Sequence, residues 1–251
     1  MLVASPSRPP PLVARHSWAI FMAFSLIVGA MIYLVIPALL ARGWDGPYAV
    51  AIPLGAGFLL MFAIIYVGLR REGRLRSWRE SLRLTRPSGQ DIAWGVGLGL
   101  SMIVSVVAFE GYVQDFILAN VSMRPPQWFL DVLKTSGAVF GTPGLGRWDF
   151  LALHLILFVL NIFGEELLFR GYMLPRQERL GHRYAWVLNG IQWTAFHWFW
   201  FHVLPAILPT SLLLAWITLK RKSTWCAIIG HGMLNGLAVI GTLLTVAGLK
   251  G

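Results

Sequence analysis

The sequence predicts an all-α polytopic membrane protein, a bundle of seven transmembrane helices with room for an eighth membrane element in 119–148. Three observations carry that reading. Of 251 residues, 57% are hydrophobic and only 13% charged, against roughly 25% charged in a soluble domain. Mean hydropathy is +0.66, and several apolar runs are long enough to cross a bilayer core. Lys and Arg number 21 against 11 Asp and Glu, and they gather in alternate loops, as positive-inside loops do. The net charge of +10 therefore reads as attraction to anionic lipid, and nucleic-acid binding is set aside. A lone cysteine, Cys226, excludes an intrachain disulfide and a cysteine metal cluster; its apolar surroundings suit packing. The whole chain, 1–251, is expected to form one membrane domain.

Taken in order, residues 1–17 are Pro-rich and basic and read as a cytoplasmic tail, not a signal peptide. The first span is expected at Trp18 to Leu40 and the second at Tyr48 to Leu69. Between the second and third lies the most basic segment, Arg70 to Arg86, in which Leu75, Trp78 and Leu82 share one helical face. That face suits a surface helix, although a plain basic loop accounts for the arginines equally well. The third span, Ile92 to Ile117, carries Gly95, Gly97 and Gly99, which permit close helix approach. Glu110 within it lines an interior or marks the outer end. The following loop is neutral, with Arg124, Lys134 and Arg147 against Asp115, Asp131 and Asp149, as expected on the non-cytoplasmic side. Trp128, Phe129, Val132 and Leu133 in that loop have the spacing of an interfacial or re-entrant turn.

The fourth span, Phe150 to Phe169, is followed by an expected loop containing Arg170, Arg176, Arg179 and Arg183. The fifth runs from Ala185 to Val203, and the short sixth from Ala206 to Leu219, stopped by Lys220, Arg221 and Lys222. The seventh is Thr224 to Ala247, where Gly232 and Gly236 give a weak small-xxx-small signal. The alternating charge puts the N-terminus in the cytoplasm and the C-terminus outside, in a cell inner or plasma membrane.

The chemistry concentrates at the end of the fourth span, in Asn161-Ile162-Phe163-Gly164-Glu165-Glu166-Leu167-Leu168-Phe169-Arg170. Ionisable groups in such a run cost a few kcal/mol each and usually mark function. Glu166 and Arg170 are an acid-first i,i+4 pair. Glu165 lies roughly 100° round the helix, out of reach of the same arginine. On that geometry Arg170 holds Glu166, and Glu165 is left for chemistry. His154, Asn161 and Glu165 fall on one stripe. Two further spans bring Trp193 with His197, and His231 with Asn235, each pair one turn apart. Two histidines on separate spans from a free glutamate point to a shared polar site. Counting along the helices leaves Glu165 just inside the cytoplasmic end and His197 deeper, so the three meet only if the fifth helix starts late or tilts.

In combination, Glu165-Glu166-x-x-x-Arg170, Trp193-x-x-x-His197 and His231-x-x-x-Asn235 resemble the three motifs of the CPBP intramembrane proteases, the CAAX-prenyl endopeptidase and bacteriocin-processing (Abi) family. The resemblance covers roughly the last hundred residues, so 150–247 is the expected catalytic core. Trp193 stands where the family usually has Phe. Trp198 and His202 fit the same spacing, but the interval from His197 to His231 is the one that matches the family. The resemblance implies that Glu165 and His197 activate water and that His231 and Asn235 stabilise the oxyanion, with Glu166, Arg170 and Trp193 supporting. A poorly hydrated carboxylate suits proton abstraction, and fixed donors suit developing negative charge. The substrate would be a membrane-associated or lipidated protein or peptide.

No cofactor is required by this scheme. Glu165, His197 and His231 would be the ligands if zinc were used, although the His-Glu-x-x-His arrangement of zinc proteases is missing. The competing functions are a non-catalytic scaffold or immunity protein that keeps the pocket, and a proton-coupled transporter. No paired repeats of the transporter kind occur in the sequence.

Overall fold

Backbone in a bilayer must satisfy its own hydrogen bonds, which leaves helix as the solution for apolar runs of this length. The computed structural model describes residues 9–126, 128, 137–181 and 184–249, and six helical segments among them are long and apolar enough to cross a membrane. The chain is thus an all-α polytopic integral membrane protein. Helix α1 is Ala14–Ala41 and α2 is Gly46–Arg71. Helix α3 starts as Gly89–Ser105 and continues through Val106–Glu110 and Gly111–Asn120. Helix α4 is Trp148–Gly181. The fifth long segment, Ala185–Arg221, comprises α5 (Ala185–Phe196), a 3-10 turn (His197–Val203) and α6 (Leu204–Arg221). Helix α7 is Trp225–Val246. Large side chains such as Leu26, Leu34, Val104, Val107 and Phe116 are exposed, an apolar exterior that calls for lipid.

The fifth segment is folded back on itself. A Cβ placed on Gly190 would sit 2.9 Å from the Cα of Leu212, whereas a straight helix would separate those residues by roughly 33 Å. The expected fifth and sixth spans are therefore an antiparallel hairpin, and only glycine fits at its seam. The reversal breaks helical bonding at Trp200 (φ −109°, ψ 39°). Helix α1 supplies the replacements: Ser25 Oγ donates to the Phe196 carbonyl at 2.7 Å and Tyr33 Oη to the Phe199 carbonyl at 3.2 Å, while Trp198 Nε1 donates to the Ser25 carbonyl. Helices α3 and α7 also meet closely, since a Cβ on Gly99 would lie 2.8 Å from Met233 Cβ and 3.2 Å from the Gly230 carbonyl. The Gly232 and Gly236 pair does not make that contact; at both positions a Cβ has room. Cys226 is buried in the same seam.

Two expectations need correction here. Residues after Phe169 do not form a loop: α4 continues to Gly181, turning as a π-helix over Glu166–Met173 and as α-helix over Leu174–Gly181. It persists because its polar groups are satisfied by other elements. Arg176 is ion-paired with Glu72, and Asn189 and Gln192 both bond Gln177. The basic segment after α2 is not one amphipathic helix either. It breaks into Leu75–Ser77 and Trp78–Ser81, with Leu82 buried and Trp78 exposed. A small antiparallel hairpin pairs Ala138 with Pro143 and Val139 with Thr142. The Glu110 side chain, Phe129, Val132, Leu133, Lys134, Asp131, Arg183 and residues 1–8 lie outside the described residues.

Candidate active site

The three sequence motifs converge on one cavity of about 670 Å³. Glu165, His197, His231 and Asn235 all line it, together with Asn161, Trp193 and apolar residues of α1, α2, α3 and α4 such as Ile32, Phe58, Met102 and Leu157. The depth problem raised by counting disappears because α4 is longer than expected. From Glu165 to the helix end at Gly181 is roughly 24 Å of rise, and Trp193 bonds Glu165 while its ring packs on that of His197, which sets the two at one level. His202 lines the same cavity. It lies five residues beyond His197, and the 3-10 turn with its break at Trp200 carries it round to the same space.

Glu165 is almost fully buried, at 3% exposure, and both its oxygens have donors. Asn161 Nδ2 donates to Oε1 at 2.7 Å and Trp193 Nε1 to Oε2 at 2.9 Å. The expectation of a free Glu165 therefore becomes one of a held Glu165. Glu166 has no exposure and does not line the cavity. Its Oε1 receives Arg170 Nη1 at a long 3.4 Å, and His231 Nδ1 at 2.8 Å. Arg170 thus holds Glu166 as expected, but His231 is the closer partner. The Arg170 guanidinium also lies over the Trp193 ring, 4.5 Å from its centroid.

The histidine tautomers follow from their acceptors. His197 Nδ1 is 2.8 Å from the Trp193 carbonyl, which only accepts, so Nδ1 carries the proton and Nε2 keeps its lone pair. His231 Nδ1 faces a carboxylate and so carries a proton too; its Nε2 receives Asn235 Nδ2 at 3.2 Å. Asn235 also donates to Asn161 Oδ1 at 2.8 Å. A chain of hydrogen bonds therefore runs from His231 through Asn235 and Asn161 to Glu165 and Trp193. Asn161 is the member that sequence reasoning left without a role, although its place one turn before Glu165 on the same stripe was visible. At the far end of the cavity His154 Nδ1 pairs with Thr242 Oγ1 at 2.7 Å, beside Phe140.

Among the described residues, the group whose ligand atoms lie close enough for a metal ion is Glu165, Glu166 and His231. His197 is not in it, so the expected zinc set of Glu165, His197 and His231 is not assembled. The group that is assembled fits zinc poorly. Both Glu165 oxygens already receive N–H donors, and a guanidinium occupies the space beside Glu166. Glu166 Oε2 lacks a partner, and so do Nε and Nη2 of the adjacent Arg170, whose positive charge already balances that carboxylate without an ion.

Residues 147–237 match the family model described as Type II CAAX prenyl endopeptidase Rce1-like, a segment that contains all three motifs. No curated protein and no solved structure matches the chain.

Proposed function

We propose, on the premise that residues 147–237 place this chain in the Rce1-like family of type II CAAX prenyl endopeptidases, that it hydrolyses a peptide bond of a membrane-associated or lipidated substrate by a glutamate mechanism. The observation that carries this reading is a buried Glu165 facing the cavity between two donors, beside a histidine whose Nε2 keeps its lone pair. Water bound between Glu165 and His197 Nε2 gives a proton to the carboxylate as its oxygen attacks the scissile carbonyl. The C–O bond forms, the carbonyl electrons move to oxygen, and the oxyanion is met by the Asn235 amide, which gives up its long 3.2 Å bond to His231 Nε2 to reach it. His231 Nε2 joins as a donor only when it carries a second proton. Collapse of the intermediate breaks the C–N bond, and Glu165 returns the proton to the leaving amine. The residues fit zinc poorly, so no step passes through a metal.

Purified protein in liposomes, with a lipidated peptide library, is the test. Wild type should cleave and Glu165→Gln should not, with both melting alike. Cleavage by Glu165→Gln at the wild-type rate would overturn the mechanism. Absence of cleavage by either, with movement of protons across the vesicle wall, would favour a transporter. Comparison of membrane proteomes from null and Glu165→Gln cells would identify the substrate as the protein left unprocessed in both.

A further inference from the structure

The arginine-rich end of the bundle holds a second cleft, of about 640 Å³, which shares no lining residue with the catalytic cavity. Its walls are Trp78, Arg79, Glu80, Thr85, Arg86 and Trp225, and its floor is Leu84, Phe163 and Leu167. Phe163 and Leu167 are one turn apart on α4. Phe163 lies roughly 200° round that helix from Glu165, so the cleft backs onto the opposite face.

Several cations at this end are engaged by the protein itself. Arg83 and Lys222 pair with Glu178, Arg176 with Glu72, and Arg221 with Asp91. Arg79 and Arg86 are exposed, and among the described residues neither has a carboxylate partner; Arg79 lies only over its neighbour Trp78, at 5.3 Å. Glu80 is the one acidic group among the described residues of the cleft, so their charge is net positive. Trp225 spends its indole N–H on the Thr85 carbonyl at 3.0 Å and offers the cleft its ring. Two unengaged guanidiniums at the mouth, two tryptophans at the rim and an apolar floor running along a membrane helix match one class of molecule. A phosphate takes the guanidiniums, the tryptophans sit at headgroup depth, and an acyl chain covers Phe163 and Leu167.

We infer that this cleft binds an anionic glycerophospholipid of the surrounding membrane, phosphate on Arg79 and Arg86. The proposal is independent of the protease reading. Protein released from nanodiscs of mixed phosphatidylglycerol and phosphatidylcholine can be weighed by native mass spectrometry. Wild type should retain one phosphatidylglycerol. Arg79→Gln/Arg86→Gln should retain it at least fivefold less, whereas Arg71→Gln/Arg76→Gln, with the same charge removed outside the cleft, should behave as wild type. Thr85→Asp, which keeps both arginines and adds a carboxylate at the mouth, should weaken retention in the same direction, so the inference does not depend on one variant folding. Equal loss in the Arg71/Arg76 control, equal retention of phosphatidylcholine, or displacement by millimolar glycerol phosphate would each overturn it. The last result would mean a small-anion site without a lipid.

Discussion

At the scale of single residues, the tryptophan in the second motif has a use that phenylalanine could not supply. Trp193 Nε1 donates to Glu165 Oε2 while its ring lies under Arg170. A hydrogen bond to a charged group contributes about 1.5–3 kcal/mol. Trp193→Phe should therefore lower kcat roughly ten- to a hundredfold at nearly unchanged KM; an unaltered kcat would mean that Glu165 needs no indole donor. The doublet should divide differently. Glu165→Gln should lose activity and keep its fold. Glu166→Gln should destabilise the protein by about 3–5 kcal/mol, the scale of a broken buried pair, and should also lose activity because His231 Nδ1 exchanges a carboxylate acceptor for a neutral amide. Equal stability of the two in thermal unfolding would refute that division. As a control, Glu80, exposed and without an ion pair among the described residues, serves better than Glu178, which pairs with Arg83 and Lys222. The motif residues were legible because their spacings are local. The partners of Glu165 were only half legible, because Asn161 lies one turn away on the same helix while Trp193 reaches the site from another.

At the scale of elements, what the sequence could not display was compensation between segments. Arg170, Arg176 and Arg179 look like the start of a loop, and a helix ending at Phe169 is the natural reading. Glu72, far away in the chain, holds Arg176, while Asn189 and Gln192 bond Gln177, and these partners make the polar residues tolerable within α4. The α5–α6 hairpin was legible in outline as two adjacent apolar runs, while its turn at Trp200 depends on Ser25 and Tyr33 of α1. Gly190→Leu should be severely destabilising, since the added side chain meets Leu212 backbone at 2.9 Å; overpacking of this kind costs at least 1–3 kcal/mol. Thermal unfolding in detergent checks it, and Gly236→Leu, where space is open, should unfold near the wild-type temperature.

At the scale of the whole molecule, the basic loops predict where reporters fused to the chain will report. Fusions after Gly89 should be cytoplasmic, and fusions after Pro143 should not; a cytoplasmic signal after Pro143 would invert the bundle. The apolar runs made membrane insertion plain from composition alone, because hydropathy is additive along a chain. The cavity was not legible, since its walls come from helices that say nothing of one another in sequence. Metal use belongs to this scale too. Active protein should keep its rate after exhaustive chelation, and loss that is restored by zinc alone would reassign Glu165, Glu166 and His231 as ligands.

The size of the cavity constrains what shape a substrate can have when it is cut. A helix with side chains is about 10–12 Å across and rises 5.4 Å per turn, so one turn fills roughly 500 Å³. A space of about 670 Å³ is of that order, and a helical turn inside it would keep its carbonyls bonded along its own axis, away from water held by Glu165. The polypeptide must arrive unwound, which makes local helix stability of the target part of its selection. In a substrate series of fixed composition at the scissile bond, moving one proline to within a turn of it should speed cleavage, and a stretch of alanines there should slow it. Indifference to both changes would mean that the walls open far wider than they stand here.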